Sequence, residues 1–166
     1  GYLACGDTGS GKLPEPEVLC RWIEREIAYM DKPMKGKKVV VTAGPTQEAL
    51  DPVRYLTNHS SGKMGYAITH EAMLRGADVS LISGPVSLPA APFVRQRNIT
   101  SAADMFDAIR EEIDDTDILI KAAAVADYRP AQVADQKIKK GLSGQGNPIA
   151  GTEDTGMSIP LARTQD

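Results

Sequence analysis

Residues 37–46 read KKVVVTAGPT, and this stretch decides the fold. Its first six residues, 37–42, contain a continuous β-branched run without the alternation of a strand that has one wet face. Such a run is typical of a strand buried on both faces, as in a parallel sheet. The Ala-Gly-Pro that follows predicts that the strand stops at residue 43 and that a loop begins there.

The segments beyond this strand alternate between helical and extended patterns. Residues 62–75 are rich in helix formers, with Met64, Ile68 and Ala72 on one stripe, and Gly76 is a suitable stop. Further strands are predicted over residues 77–83, 94–99 and 117–124, and a helix over residues 102–113, begun by Ser101 with Asp104 in its first turn. This order predicts an α/β fold with a mostly parallel sheet.

The remaining segments are less regular. Residues 1–17 are loop-like, residues 18–30 have helical spacing, and residues 32–36 form a linker, so residues 1–36 are interpreted as separate from residues 37–166. Residues 46–61 are polar and predicted to be irregular. The pattern fades after residue 128, apart from a strand that could begin at residues 158–161, and residues 141–156 form a polar, Gly-rich loop.

The composition excludes several classes of protein. A net charge of -3 and 5% aromatic residues argue against nucleic-acid binding. No apolar run is long enough to cross a bilayer, and the sequence contains no basic-then-apolar leader, so we expect no membrane contact. Cys5 and Cys20 are too few for a disulfide framework, which favours the cytoplasm.

Residues 6–12, GDTGSGK, fit the start of a phosphate-binding loop. The motif requires Ser or Thr after its lysine, but Leu13 follows Lys12, and prolines stand at positions 14 and 16 where the helix should begin. These departures favour a flexible glycine-rich segment, and the search for a ligand site moves to the sheet.

Ligands of open α/β sheets bind beyond the carboxyl ends of the strands, and two loops leave such ends here. The first, at residues 43–62, contains Asn58, Ser60, Ser61 and Gly62 directly before a predicted helix, and Lys63 adds charge. Free N–H groups at a helix start bind anions. The alternatives are that a serine caps the helix and that Asn58 is a turn residue.

The second loop follows the strand over residues 117–124. Ala123 and Ala124 are small enough to let a flat ligand approach the main chain, and Asp127 could hold a metal ion or a ribose hydroxyl. Lys137 begins a KIKK cluster that could neutralise a triphosphate. The alternatives are a capping carboxylate for Asp127 and a solvated charged face for the lysines.

An NAD(P)-binding oxidoreductase is a competing hypothesis for an α/β fold. It requires G-x-G-x-x-G after the first strand and an acidic residue about 20 positions further on. Here the first strand leads to AGPTQE, and the second ends LISGP without a carboxylate. Both departures count against NAD binding.

Three long stretches closely resemble one family: residues 37–68, residues 76–89 and residues 121–140. The sequence is similar to the phosphopantothenate–cysteine ligase domain of the bacterial bifunctional coenzyme A biosynthesis flavoprotein. Residues 3–17 resemble the end of its phosphopantothenoylcysteine decarboxylase domain, with Cys5 at that family's catalytic cysteine. The resemblance implies a Rossmann-like three-layer fold, truncated at the C-terminus because the family continues for roughly another hundred residues.

The resemblance also implies a reaction. CTP activates the carboxylate of 4′-phosphopantothenate as an acyl-cytidylate, cysteine then displaces CMP, and Mg²⁺ assists. The implied catalytic residues are Asn58 and Lys137, with Cys5 serving the decarboxylase, whose domain binds FMN. The implied nucleotide contacts are Ser60, Ser61, Gly62, Lys63, Ala123, Ala124 and Asp127, with Asp127 also the metal ligand.

The resemblance implies a homodimer through the ligase domain and a larger homo-oligomer for the whole enzyme. We interpret the chain as a fragment that spans the junction of the two enzymes. The alternatives are an NAD(P)-binding oxidoreductase and a non-catalytic oligomerisation fragment.

Overall fold

The computed structural model describes residues 13–139 and 158–165. The sequence predictions for GDTGSGK, Cys5, Lys140 and the Gly-rich residues 141–156 lie outside these described residues.

The described chain contains three α-helices and eight strands. The helices are α1 (Pro16–Ile27), α2 (Lys63–Leu74) and α3 (Ala102–Glu112), the last followed by a 3₁₀ turn at Ile113–Asp115. The strands are β1 (Lys38–Ala43), β2 (Gln47–Asp51), β3 (Arg54–Thr57), β4 (Asp78–Ser83), β5 (Arg95–Asn98), β6 (Ile118–Lys121), β7 (Tyr128–Pro130) and β8 (Leu161–Arg163). Within the described residues, no helix is long and apolar enough to cross a membrane.

Four parallel strands form the main sheet in the order β5-β4-β1-β6. β1 is central, and all of its residues from Val39 to Ala43 are buried. Val39 and Val41 pack with Ala72 and Met73 of α2, whereas Val40 packs with residues of α3 on the opposite face. The sheet therefore lies between two helical layers, and the prediction of an α/β fold with a parallel sheet is confirmed.

The start of α3 has the predicted cap. The Ser101 hydroxyl accepts a hydrogen bond from the Asp104 N–H at 3.1 Å, and the Asp104 carboxylate accepts one from the Ser101 N–H at 2.8 Å. These reciprocal bonds satisfy donors that the first turn of a helix leaves free. They hold the pKa of Asp104 below its usual range.

Two sequence predictions about the first half of the domain are wrong. The segment predicted to be irregular, residues 46–61, contains the antiparallel hairpin β2–β3. Met64 does not lie on the buried stripe of α2, because its side chain is 71% exposed. The buried face of α2 is formed instead by Gly65, Thr69, Ala72, Met73 and Leu74.

Near the end of the described chain, one further prediction needs correction and another is confirmed. The strand predicted over residues 117–124 ends at Lys121, and Ala124 makes only an isolated bridge with Pro45. The strand expected to begin at residues 158–161 is present as β8, and it pairs antiparallel with β7.

The helix α1 lies against the main domain. The rings of Trp22 and Phe93 meet edge to face with centroids 4.5 Å apart, and the Arg25 guanidinium lies 5.1 Å from the Phe93 centroid. Further along, the Tyr29 hydroxyl donates to Glu71 of α2. α1 therefore packs on the α2 layer through aromatic and cationic contacts.

Candidate active site

The chain reverses direction along the sheet between β1 and β6. From β1 it moves outward through β4 to β5, and it then returns to β6 on the other side of β1. Open α/β sheets bind ligands at such a switch point. The two loops join there, since the Ala124 N–H donates to the Gly44 oxygen at 2.8 Å and the Thr46 N–H donates to the Ala124 oxygen at 3.3 Å.

The helix α2 begins at this edge without a side-chain cap. Gly62 is its N-cap residue, with φ at +73°, and its first turn contains no acidic residue. Among the residues that the structure describes, the hydroxyls of Ser60 and Ser61 accept hydrogen bonds only from the N–H groups two residues ahead, at 3.3 and 3.5 Å. The serine-capping alternative is therefore not what the structure shows. The first turn keeps the positive polarity that attracts anions, and the exposed Lys63 adds a charge.

Two glycines allow this helix start to lie directly on the end of β1. A Cβ atom on Gly65 would stand 2.5 Å from the Ala43 Cβ and 2.9 Å from the Thr42 oxygen. A Cβ atom on Gly62 would stand 2.8 Å from a methyl of Val86, in a left-handed conformation that side chains disfavour. The close approach places the α2 N-terminus beside the β1 loop.

Asn58 follows the last residue of β3 and connects the hairpin with the loop after β6. Its side-chain nitrogen donates to the main-chain oxygens of Ala124 and Val125 at 3.2 and 3.0 Å. These partners are 66 and 67 residues away along the chain, so Asn58 is more than a local turn residue. The side chain remains exposed at the mouth of the site.

Thr46 is a further residue of this edge, and the sequence prediction missed it. The residue is completely buried. Its hydroxyl oxygen accepts from the Ala126 N–H at 3.0 Å, and its main-chain oxygen accepts from the Thr57 hydroxyl at 2.7 Å. Thr46 therefore joins both ends of the hairpin to the β6 loop. A threonine after a Gly-Pro turn is the only signal in the sequence, and it is shared by many ordinary loops.

Ala123, Ala124 and Asp127 follow β6 at the same edge. The Ala123 N–H donates to the Thr42 hydroxyl at 3.2 Å, which turns the chain across the end of β1. A cavity of about 110 Å³ lies between this loop and α3, with Ala123 and Asp127 among its lining residues. That volume accommodates part of a nucleotide, because complete small-molecule sites usually occupy about 300–1,000 Å³.

Asp127 stands alone as a possible metal ligand at this edge. Across residues 13–139 and 158–165, no group of three or more His, Cys, Asp or Glu side chains could hold a metal ion. Asp127 is exposed, and its main-chain oxygen accepts from the Thr164 N–H at 3.0 Å. A single carboxylate fits Mg²⁺ that is shared with substrate phosphates and does not fit a site made of protein ligands alone.

The structure places Lys137 away from the other candidate residues. The neighbouring Ile138 is buried and is hydrogen-bonded to Asp51 and Arg54 at the tip of the β2–β3 hairpin. The four residue steps of β2 from Gln47 to Asp51 span about 13 Å. The edge thus brings together the predicted residues Asn58, Ser60, Ser61, Gly62, Lys63, Ala123, Ala124 and Asp127, whereas Lys137 lies near the far end of the hairpin.

Asp51 and Arg54 form an ion pair at the hairpin tip. Hydrogen bonds from the Arg54 guanidinium and from the main-chain N–H groups of Val53 and Ile138 hold the pKa of the Asp51 carboxyl well below its usual range. Asp51 and Arg54 were not singled out from the sequence, because a DPVR turn carries no distinguishing signal.

Comparison with known proteins agrees with the resemblance noted in the sequence. Residues 34–158 match the family described as the DNA/pantothenate metabolism flavoprotein C-terminal domain. A coenzyme A biosynthesis bifunctional protein CoaBC from Vibrio vulnificus is 54% identical over 140 residues, covering 84% of this chain and 34% of the relative. The CoaBC protein of Bacillus subtilis is 48% identical over 171 residues, covering 100% of this chain and 38% of the relative.

A crystal structure supports the same assignment. The C-terminal domain of a coenzyme A biosynthesis bifunctional protein CoaBC matches with a TM-score of 0.65 and 41% identity, covering 81% of this chain and 57% of that chain. This match confirms the Rossmann-like fold. The chain spans about a third of the length of the two CoaBC relatives. With three quarters of its length matched, the chain belongs to the DNA/pantothenate metabolism flavoprotein C-terminal domain family.

Proposed function

We propose that this chain is part of a phosphopantothenate–cysteine ligase of coenzyme A biosynthesis, in which CTP drives the joining of cysteine to 4′-phosphopantothenate. The observation that carries the proposal is the meeting of three features at one sheet edge. These are the uncapped start of α2, the carboxamide of Asn58, and the small residue Ala124 to which Asn58 is bonded. Membership of the family supports it.

The first step would use the anion site. The carboxylate oxygen of 4′-phosphopantothenate attacks the α-phosphorus of CTP, pyrophosphate leaves, and an acyl-cytidylate forms. The N–H groups at the start of α2, with the hydroxyls of Ser60 and Ser61 and the Lys63 ammonium, would bind the phosphates. This chemistry is accelerated mainly by positioning and by stabilising charge.

The second step would use Asn58. The amine of cysteine attacks the activated carbonyl, the bond to the nucleotide phosphate breaks, and CMP leaves with the electron pair. Asn58 would orient the carbonyl once ligand binding frees one of its two side-chain N–H groups, which otherwise donate to the oxygens of Ala124 and Val125. Ala123 and Ala124 would lie against the cytosine, and Asp127 would contact the ribose or the metal.

Mg²⁺, held by Asp127 together with the phosphates, would neutralise the charge of the triphosphate. Lys137 would supply a further positive charge to the phosphate and acyl groups. Lys137 lies at the hairpin tip, away from Asn58. This role therefore requires a ligand long enough to reach both residues, a movement of the hairpin, or a Lys137 supplied by a second subunit.

The longer protein would also carry a decarboxylase activity. We propose that Cys5 belongs to that FMN-dependent enzyme and that the whole protein assembles through a ligase homodimer into a larger homo-oligomer. Light scattering of the full-length protein measures the assembly, and a monomer would contradict it.

The test of the nucleotide is a thermal-shift panel of CTP, ATP and NADPH with Mg²⁺. It is run on this chain and on a protein extended to the length of its relatives, called the extended protein below. Stabilisation by CTP supports the ligase. Stabilisation by NADPH alone would support the oxidoreductase alternative, and no response from either protein would support a non-catalytic fragment.

A further inference from the structure

Glu48 is a buried carboxylate at the base of the β2–β3 hairpin. The residue is only 5% exposed, and one carboxylate oxygen accepts a hydrogen bond from the Ala102 N–H at 2.9 Å. Among the ion pairs of the described residues, none includes Glu48. A buried charge is costly unless it is compensated. The compensation here comes from the start of α3, which supplies both the N–H group and the positive end of the helix dipole.

The helix α3 does not need this second carboxylate. Its own capping box already satisfies the first turn, because the Asp104 carboxylate accepts from the N–H groups of Thr100 and Ser101 at 3.2 and 2.8 Å. Glu48 adds one bond to a helix start that is already capped, and it comes from 54 residues away. The requirements of α3 therefore do not explain why the hairpin buries a charge.

The contact of Glu48 belongs to a set of bonds that hold the base of the hairpin. The neighbouring Gln47 N–H donates to the Thr100 oxygen at 2.8 Å, so two successive residues of β2 are joined to the start of α3. On the other side, the Thr46 hydroxyl accepts from the Ala126 N–H at 3.0 Å. The base is thus held between α3 and the loop after β6.

The position of Asn58 depends on this base. In the hairpin ladder Glu48 lies opposite Leu56, two residues before Asn58. Residues directly opposite each other in an antiparallel pair have Cβ atoms about 4.5–5.5 Å apart. A movement of the hairpin base would therefore shift the Asn58 carboxamide, whose nitrogen now lies 3.0 Å from the Val125 oxygen.

We propose that Glu48 is a positioning residue, whose buried carboxylate ties the base of the hairpin to the start of α3 and thereby places Asn58 for the second step of ligation. The inference rests on the proposed function for the role of Asn58. It adds that the charge buried at Glu48 acts through Asn58 and not through contact with a ligand.

The attachment is tested without measuring activity, by NMR hydrogen exchange on this chain. The Ala126 N–H reports on the hairpin base, and the Gly84 N–H, which donates to the oxygen at the end of β1, reports on the main sheet. Glu48→Leu should speed exchange at Ala126 relative to Gly84 by about tenfold or more, the factor for losing a hydrogen bond to a charged group. Glu112→Leu, the matched control, removes a carboxylate that bonds to Ser80 at the other end of α3 and should leave this ratio unchanged.

The positioning role is tested in the extended protein by following pyrophosphate release and amide formation. Glu48→Leu should slow amide formation about tenfold more than pyrophosphate release. It should add little in an Asn58→Asp background, because both changes act on the same side chain. Glu48→Gln should keep most of the activity, since its amide oxygen can still accept from the Ala102 N–H. If Glu48→Leu does not unfold cooperatively in urea, Glu48→Met replaces it, because methionine adapts to irregular buried space.

Each outcome decides the inference. An unchanged exchange ratio in Glu48→Leu would overturn the attachment, whatever the activity. A changed ratio with equal losses in both steps, or with losses that add to those of Asn58→Asp, would overturn the positioning role. A Glu48→Gln protein as impaired as Glu48→Leu would contradict the hydrogen bond as its cause. If Asn58→Asp alone is neutral, the role that the proposed function gives to Asn58 fails, and the positioning role fails with it. The exchange ratio would still show whether Glu48 anchors the hairpin.

Discussion

The side-chain nitrogen of Asn58 lies 3.0 Å from the main-chain oxygen of Val125. The two residues come from the hairpin and from the loop after β6, 67 positions apart. An amide nitrogen donates to a carbonyl, whereas a carboxylate oxygen in its place would repel one. Replacing the side-chain NH₂ group of Asn58 by oxygen, as in Asn58→Asp, therefore tests this contact and the chemistry proposed for the residue.

Asn58→Asp in the extended protein is expected to slow amide formation more than pyrophosphate release, so that acyl-cytidylate accumulates. The physical reason is that Asn58 is assigned to the activated carbonyl of the second step. Chromatographic measurement of pyrophosphate, intermediate and product over time checks this result. Asn98→Asp, an exposed asparagine at the end of β5, is the control. Equal losses in both steps would leave Asn58 with only its structural contact.

CTP with Mg²⁺ is expected to raise the melting temperature of the extended protein more than ATP with Mg²⁺ at equal concentration. The resemblance of residues 58–65 and 126–130 to the bacterial ligase is the reason. A ligand that binds only the folded state stabilises it by RT ln(1 + [L]/Kd), so at equal concentration the tighter ligand stabilises more. Equal or larger stabilisation by ATP would contradict the assignment of the nucleotide.

Lys137→Gln is expected to reduce ligation at saturating CTP by about one to two decades. Loss of a charge-assisted contact to an anion costs about 1.5–3 kcal/mol. Lys139→Gln is the matched control, because Lys139 is an exposed lysine on the other side of the anchored Ile138. Small and similar losses of activity for the two variants would support the alternative that these lysines form a solvated charged face.

Gly65→Ala is expected to lower the free energy of unfolding by about 1–3 kcal/mol, although alanine is the better helix former. Its methyl group would stand 2.5 Å from the Ala43 Cβ. Gly36→Ala is the comparison, because a Cβ atom there meets nothing within 4 Å. Its only expected loss of stability comes from the main-chain φ of +80°. Urea titrations measure both variants, and a Gly65→Ala protein as stable as the wild type would show that the helix start can shift.

The stability difference between the wild type and Asp51→Asn is expected to depend on pH. Because the folded-state pKa of Asp51 is depressed, its stabilisation is present above the ordinary carboxyl pKa of about 4 and disappears as pH falls through the folded value. Urea midpoints should therefore differ by a constant amount from pH 7 to about 5, and the difference should shrink progressively as pH falls below about 4. Asp135→Asn is the control, and a difference independent of pH would contradict the origin given to the shift.

The main sheet could be predicted because its strands carry their burial in local sequence. β1 has five consecutive buried residues, four of them apolar, and α3 has a complete capping box. The hairpin β2–β3 could not be predicted, since its buried positions include Glu48 and Asp51. These polar residues are buried because their partners, such as the Ala102 N–H and the Ile138 N–H, come from 54 and 87 residues away.

The residues of the candidate site likewise fall into two groups, those that could be predicted from the sequence and those that could not. Residues next to a strand end or a helix start, such as Gly62 and Ala124, could be found from position alone. Thr46 and Asp51 act through hydrogen bonds to distant main-chain groups, and no local pattern distinguishes them from ordinary loop residues. The placement of Lys137 at the hairpin tip depends on the same distant contacts.

The central position of β1 has a consequence for how the protein is made. Val39 pairs with Ile118, so β1 cannot gain its second neighbour until 79 further residues have been synthesised. At a synthesis rate of about 5–20 residues per second, the edge of β1 that pairs with β6 remains unpaired for roughly 4–16 s after leaving the ribosome. Contacts this distant in sequence also slow folding in solution. The three consecutive valines of β1 thus remain without their second neighbouring strand throughout this interval.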